Sequence, residues 1–170
     1  MRKGMIFLVL IAFLAVPAIV SAVPLAVDGG WSEFYFGGED SDWYYGGEDP
    51  VSFDFTISTS AYLTVTDAFL SGDQFYVSGL GYTSAPTSLS DDIGGDYDAA
   101  AADDRWSTGS WLLTAGIYSI SGTANISPFG GGGGAIRVDT APVPEPGTIV
   151  LMGLGLVGLA GMGRKKYFKK

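Results

Sequence analysis

The 170-residue sequence contains no cysteine and no histidine. Without thiols it has no disulfide, no thiolate nucleophile and no Cys-ligated zinc. Without imidazole it lacks the usual general base, the Ser-His-Asp triad and the commonest metal ligand. Cations are scarce and unevenly placed. Of the nine Lys and Arg, only Arg105 and Arg137 lie between Val23 and Val143, a stretch that holds all but one of the 18 acidic residues. So anionic a body repels nucleic acid and anionic polymers, which excludes nucleic acid as a partner. The remaining chemistry belongs to carboxylates, hydroxyls and two arginines, a set suited to calcium coordination or glycoside hydrolysis more than to most reactions.

Both ends carry export signals. Arg2 and Lys3 precede an apolar run from Met5 to Val20, and Val20-Ser21-Ala22 supplies small residues at a cleavage site. That order reads as a secretory signal peptide removed after Ala22, with Val23 as the mature start; Pro17 interrupts the run and argues against a lasting anchor. At the other end Gly147 to Gly163 is free of charge, and Arg164-Lys165-Lys166 with Lys169-Lys170 follows it. At roughly 1.5 Å per residue this run reaches ~25 Å, the short end of what spans a bilayer. Positive charge behind the span holds the tail inside and everything before it outside.

The middle of the chain has a period of two. Val51, Phe53, Phe55 and Ile57 alternate with Ser52, Asp54, Thr56 and Ser58, and Ala61, Leu63 and Val65 alternate with polar residues. Trp31–Phe36, Gln74–Ser78, Trp111–Thr114, Ile117–Ile120, Gly122–Ile126 and Ala135–Val138 read as further strands. Ser71-Gly72-Asp73 reads as a hairpin loop between Phe69-Leu70 and the next strand, and Ala115-Gly116 as a turn. Ala99–Ala102, flanked by aspartates and glycines, reads as surface loop, and Asp139–Pro142 as linker. The expected fold is all-β: an antiparallel β-sandwich or jelly roll of about 7–8 strands, with an N-terminal signal helix and one C-terminal transmembrane helix. The divisions are 1–22 signal peptide, 23–142 acidic β-sandwich domain and 143–170 tail; about 120 residues suffice for one core without disulfides.

No constellation of residues specifies a reaction. Gly37-Gly38-Glu39-Asp40 recurs as Gly46-Gly47-Glu48-Asp49. A calcium β-roll needs at least three such units, so these read as acidic turns around Trp43-Tyr44-Tyr45. Asp91, Asp92, Asp96 and Asp98 cluster without EF-hand spacing or its closing Glu, and read as a solvated loop rather than a calcium site. Gly130–Gly134 lacks the Lys and the following helix of a phosphate loop, and is either flexible or a place where backbone passes close to another surface. Trp31, Trp43, Tyr44, Tyr45 and Trp106 either stack on sugars or complete the core, and the core is the better reading. No catalytic residue, metal ligand or cofactor is assigned, and no enzyme is expected.

Val143-Pro144-Glu145-Pro146-Gly147-Thr148, a Gly/Leu-rich span and an Arg/Lys end together resemble the PEP-CTERM sorting signal of exported bacterial proteins. The resemblance implies recognition in the inner membrane by an exosortase, a membrane cysteine protease acting near Pro144, Glu145 and Pro146. It implies an inner-membrane-anchored precursor whose body is then released or moved to the surface of a Gram-negative, exopolysaccharide-producing cell. Two prolines around Glu145 keep the motif extended, where a protease can take it. The segment from Phe53 through Leu63–Asp73 also resembles body domains found ahead of this tail, which have no assigned activity. The expected role is structural or adhesive, in an exopolysaccharide matrix or biofilm. The alternatives are a calcium- or glycan-binding lectin-like module and a small carboxylate-based glycoside hydrolase.

Overall fold

The computed structural model describes residues 21–47, 50–142, 147, 151–157 and 159. Alternation in the sequence becomes alternation in space. In β3 (Val51–Ile57) and β4 (Ala61–Asp67) the apolar set Val51, Phe53, Phe55, Ile57, Ala61, Leu63 and Val65 is buried, whereas Thr56 and Tyr62 face solvent. Eight further strands complete the body: β1 (Ser21–Pro24), β2 (Ser32–Phe36), β5 (Gln74–Val77), β6 (Gly81–Tyr82), β7 (Thr108–Leu113), β8 (Gly116–Ile120), β9 (Gly122–Ile126) and β10 (Gly132–Thr140). One short helix, α1 (Tyr97–Ala102), lies between β6 and β7.

The strands form a four-stranded sheet, β2-β10-β4-β7, and two three-stranded sheets, β1-β3-β8 and β6-β5-β9. Only Ser121 separates β8 from β9, so one bent path links the two smaller sheets. The segment around Trp43 ties them further, with Trp43 N–H donating to Gly122 and Val51 N–H donating to Trp43. Buried faces of all three sheets meet in one core. Phe34 of β2 stacks on Trp43 at 3.9 Å between ring centroids and meets Phe75 of β5 edge-on at 5.1 Å. Each such aromatic pair adds about 1 kcal/mol beyond its burial.

Several expectations are corrected. Ten strands form, the extra ones being too short to carry a visible period. The β1–β3 pair is parallel, unlike the rest of the named pairs. Ser71-Gly72-Asp73 closes no hairpin, because β4 and β5 belong to different sheets; Ala115-Gly116 likewise crosses from β7 to β8 of another sheet. Ala99–Ala102 belongs to α1, since the Asp96 carboxylate caps the Ala99 N–H at 3.0 Å and Ala100 is buried. Gly132–Gly134 is strand, paired to β2 on one side, and Gly134 pairs also with β4 on the other. Asp139 and Thr140 extend β10 rather than forming a linker, held by the Asp28 carboxylate on the Thr140 N–H and hydroxyl.

Ala22, the expected signal-peptidase position, sits inside β1 opposite Ser52. Most of the expected signal and transmembrane helices lies outside the described residues. Residues 151–157 are helical, and among the described residues no helix is long and apolar enough to cross a membrane.

Candidate functional site

The structure gathers two acids, Asp67 and Asp73, that no motif in the sequence marks. Asp67 closes β4 and is fully buried. Its Oδ1 accepts the Ala68 N–H at 2.8 Å and its Oδ2 the Asp73 N–H at 3.3 Å, so one carboxyl folds the 68–73 loop back on itself. Burial, then the neighbouring Asp73, pushes this carboxyl up to about 8, against the N–H groups of Ala68, Asp73 and Gly72. Asp73, only 3% exposed, has its carboxyl pushed up to about 6 by burial, opposed by the Ser127 hydroxyl. Asp73 Oδ1 finds no hydrogen-bond partner among the described residues.

The signal that identifies both was present as parity. Asp67 continues the core-facing series Ala61, Leu63, Val65, and Asp73 begins the series Phe75, Val77. An acid on the buried side of a strand's alternation is a buried acid.

The loop between them is anchored from behind. Phe69 N–H donates to Gly94, Ser71 N–H donates to Asp91, and Phe69 carbonyl accepts from Ile93 N–H and Trp106 Nε1–H. Held this way, Phe69 (at φ +58°) and Leu70 turn outward, each 40% exposed. They form one side of a cleft of about 490 Å³. Tyr35 of β2 and Tyr44, their rings 5.9 Å apart, form another, with Phe129 and Gly130–Gly133 completing the lining. A Cβ on Gly133 would lie 3.1 Å from Phe69 and 3.3 Å from Tyr35, so those two rings pack directly over the bare backbone there. Asp73 is the one acidic residue among the described lining residues, and Asp67 lies outside the lining.

The acids singled out in the sequence are separately engaged. Asp91 accepts from the Ser88 hydroxyl, Asp92 from Gly94 N–H, Asp96 caps α1, and Asp98 accepts from Trp31 Nε1–H and pairs with Arg137 at 2.6 Å. Among the described residues no three acids come together as a metal site. Trp43 and Trp106 are core, as expected, while Tyr45 is 43% exposed. Arg137 covers the Trp31 ring at 4.3 Å. Beside it Glu33 accepts from the hydroxyls of Tyr97 and Tyr35, both at 2.8 Å, and these bonds hold its carboxyl low.

The folded body ends where Ala141 N–H donates to Ser60. Val143, Pro144, Glu145 and Pro146 follow after Pro142 and lie outside the described residues. A family model for the PEP-CTERM protein-sorting motif matches residues 142–165. This chain carries a PEP-CTERM sorting motif. The PEP-CTERM motif marks an exported protein that an exosortase sorts and processes at the membrane. No curated protein and no solved structure matches the chain.

Proposed function

We propose that this protein is a non-enzymatic structural or adhesive component of an extracellular matrix, its body a β-sandwich delivered by the PEP-CTERM tail. The observation that carries the proposal is the matched motif at 142–165 placed directly after β10 of a strongly anionic body. From Thr140 to Gly147 is seven residues, at most about 25 Å of extended chain. In the anchored precursor the body therefore stands close to the membrane, and Pro144-Glu145-Pro146 lies at the interface for the exosortase. Signal-peptide removal after Ala22 leaves Val23 and Pro24 to pair with Phe53 and Asp54, so maturation spares half of β1. After release, the body's negative charge opposes return to an anionic lipid surface.

The non-enzymatic reading is supported by how the buried pair Asp67 and Asp73 is engaged. Glycoside hydrolysis needs two carboxyls flanking one bond, and the buried Asp67 spends its oxygens on backbone N–H groups. The test is removal of residues 143–170 in the native host, followed by fractionation and mass spectrometry of the mature C-terminus. The proposal expects a wild-type chain cut near Pro146 and found at the surface or outside, with the truncated chain misplaced. Unchanged surface delivery of the truncated chain would overturn it.

A further inference from the structure

We propose that the end of the body from which the sorting tail departs is a membrane-contacting face, seated in the interface of the bilayer that the tail enters. The inference rests on the sorting reading and deepens it by saying how the anchored body meets that membrane.

Strand register places this end. Thr140, Ala61 and Leu113 form the last row of the four-stranded sheet, and Ile57 and Gly116 the last row of β3 and β8. Two short loops, Ser58–Ser60 and Thr114–Ala115, join the sheets there, and both are exposed. One row back stand Tyr62 paired with Leu112, and Ile117 paired with Thr56. Ile117 is 86% exposed, the most of any large hydrophobic residue described in the body, with Leu112 at 58% and Tyr62 at 42%. These three side chains flank the loops from the outer faces of both sheets.

Charge is divided along the same axis. Neither Phe55–Thr66 nor Trp106–Ile136 contains a charged residue, although the body is strongly anionic. The acids nearest this end are engaged: Asp28 accepts from Thr140, and Asp139 pairs with Arg137 at 2.8 Å. Asp91, Asp92, Asp103 and Asp104 gather at the opposite end, past Asp67 and Thr108, about 20 Å away along β4. Phe69, Leu70 and Leu89 are exposed too, but they lie at that acidic end, which an anionic lipid surface repels.

The occupant follows from where the chain goes next. Ala141 N–H donates to Ser60 in one of these loops, and the match to the sorting motif begins at residue 142. The uncharged run from Gly147 therefore starts within about 25 Å of the face. A tyrosine with aliphatic neighbours around uncharged, hydroxyl-bearing loops suits the headgroup region, where amphipathic surfaces settle.

The chain has no cysteine, so a single introduced cysteine reports one position. Leu112→Cys, Ile117→Cys and, on β6 as a control, Tyr82→Cys are labelled with an environment-sensitive fluorophore. The full chain is reconstituted into vesicles of phosphatidylethanolamine and phosphatidylglycerol. Each replaced side chain is exposed, so folding is not at stake. Labels at 112 and 117 should shift to the blue, be quenched by nitroxide-bearing lipids, and be about fivefold less open to iodide than the label at 82. A label at Tyr62→Cys should be shielded likewise, and return to water when Leu112→Asp and Ile117→Asp are introduced together. Labels at 112 and 117 as open to iodide as the one at 82 would overturn the inference. So would shielding without nitroxide-lipid quenching, which would assign the face to a second copy of the chain. A label at Leu156→Cys in the tail separates the two readings. If it stays in water, the tail has not entered the bilayer and the sorting proposal fails; if it is buried while 112 and 117 stay wet, this inference fails alone.

Discussion

Raising the pH from 6 to 8 should destabilise this protein, because its folded state keeps a proton that its unfolded chain gives up. The group is Asp67, fully buried, its carboxyl pushed up to about 8 from an ordinary value of 3.8. Between those values the native state binds one proton more than the unfolded state, so stability declines as pH rises. The limiting slope is about 1.4 kcal/mol per pH unit. Asp73, raised to about 6, acts with the same sign; it is half titrated at the start of the window and adds only a few tenths of a kcal/mol beyond it. Glu33, held low by Tyr97 and Tyr35, acts with the opposite sign, but only as pH falls below its ordinary 4.5. The interval from 6 to 8 therefore belongs mainly to Asp67.

Integrated over that interval the loss is about 2 kcal/mol, and for a domain of this size it lowers Tm by roughly 8 °C. The assay is thermal unfolding by tryptophan fluorescence at constant ionic strength, with Trp43 and Trp106 as buried reporters. Asp67→Asn cannot ionise and should flatten the dependence. Its absolute stability at pH 6 should be lower, since an amide offers one acceptor where two N–H groups now find a carboxyl, so slopes are the quantity to compare. A wild-type Tm that stays level or rises from pH 6 to 8 would refute the reasoning, as would equal slopes in wild type and variant.

Three further predictions test the packing that holds the site. Gly122→Ala would place a Cβ 2.6 Å from Trp43 Cε2, and urea unfolding should show a loss of about 1–3 kcal/mol. Trp43→Phe removes the colliding ring and an indole N–H that has no partner among the described residues, so the double mutant should recover at least about 1 kcal/mol relative to additivity. Gly134→Ala should be more damaging than Gly122→Ala, above about 3 kcal/mol, because its Cβ would lie 2.8 Å from the Thr66 carbonyl, which is backbone and cannot swing away. Asp96→Ala removes the cap of α1 and should cost about 1 kcal/mol, with hydrogen exchange accelerated at the Ala99 amide.

Strands β3 and β4 are legible because period-two burial is a local property: the pattern of seven residues decides which face is apolar. Pairing is not local. Nothing in Leu113-Thr114-Ala115-Gly116 says that the chain leaves one sheet for another, and nothing in Ser71-Gly72-Asp73 says that a turn, rather than a hairpin, follows. Helix α1 was hidden because aspartates beside alanines look like loop, although Asp96 three residues before Ala99 is also the spacing of a cap. The cleft lay deeper still. Its residues come from β2, the Tyr44 segment, the loop after β4 and the glycines before and within β10, and only the β2–β10–β4 order brings them together.

The glycines complete the argument. In composition, 26 glycines beside 14% aromatics suggest flexible, weakly specified chain. In the fold many of those glycines are seats for rings: Gly122 under Trp43, Gly134 under Phe34, Gly132 under Phe36, Gly109 under Trp111 and Gly116 under Tyr118. Laying an aromatic ring over a bare stretch of strand shields backbone hydrogen bonds and fills the space a side chain would occupy. For an exported body with no cysteine, this fixes residues within a strand and across paired strands without a covalent link. Gly132 and Gly134 face inward, where Phe36 and Phe34 cover them, and Gly133 between them necessarily faces outward. There the Phe69 and Tyr35 rings lie 3.1 and 3.3 Å from where a Gly133 Cβ would stand, as close a cover as Tyr118 gives Gly116 at 3.2 Å. The core's own packing device is thus repeated on the outer face of the sheet, with two rings from different elements sharing one glycine.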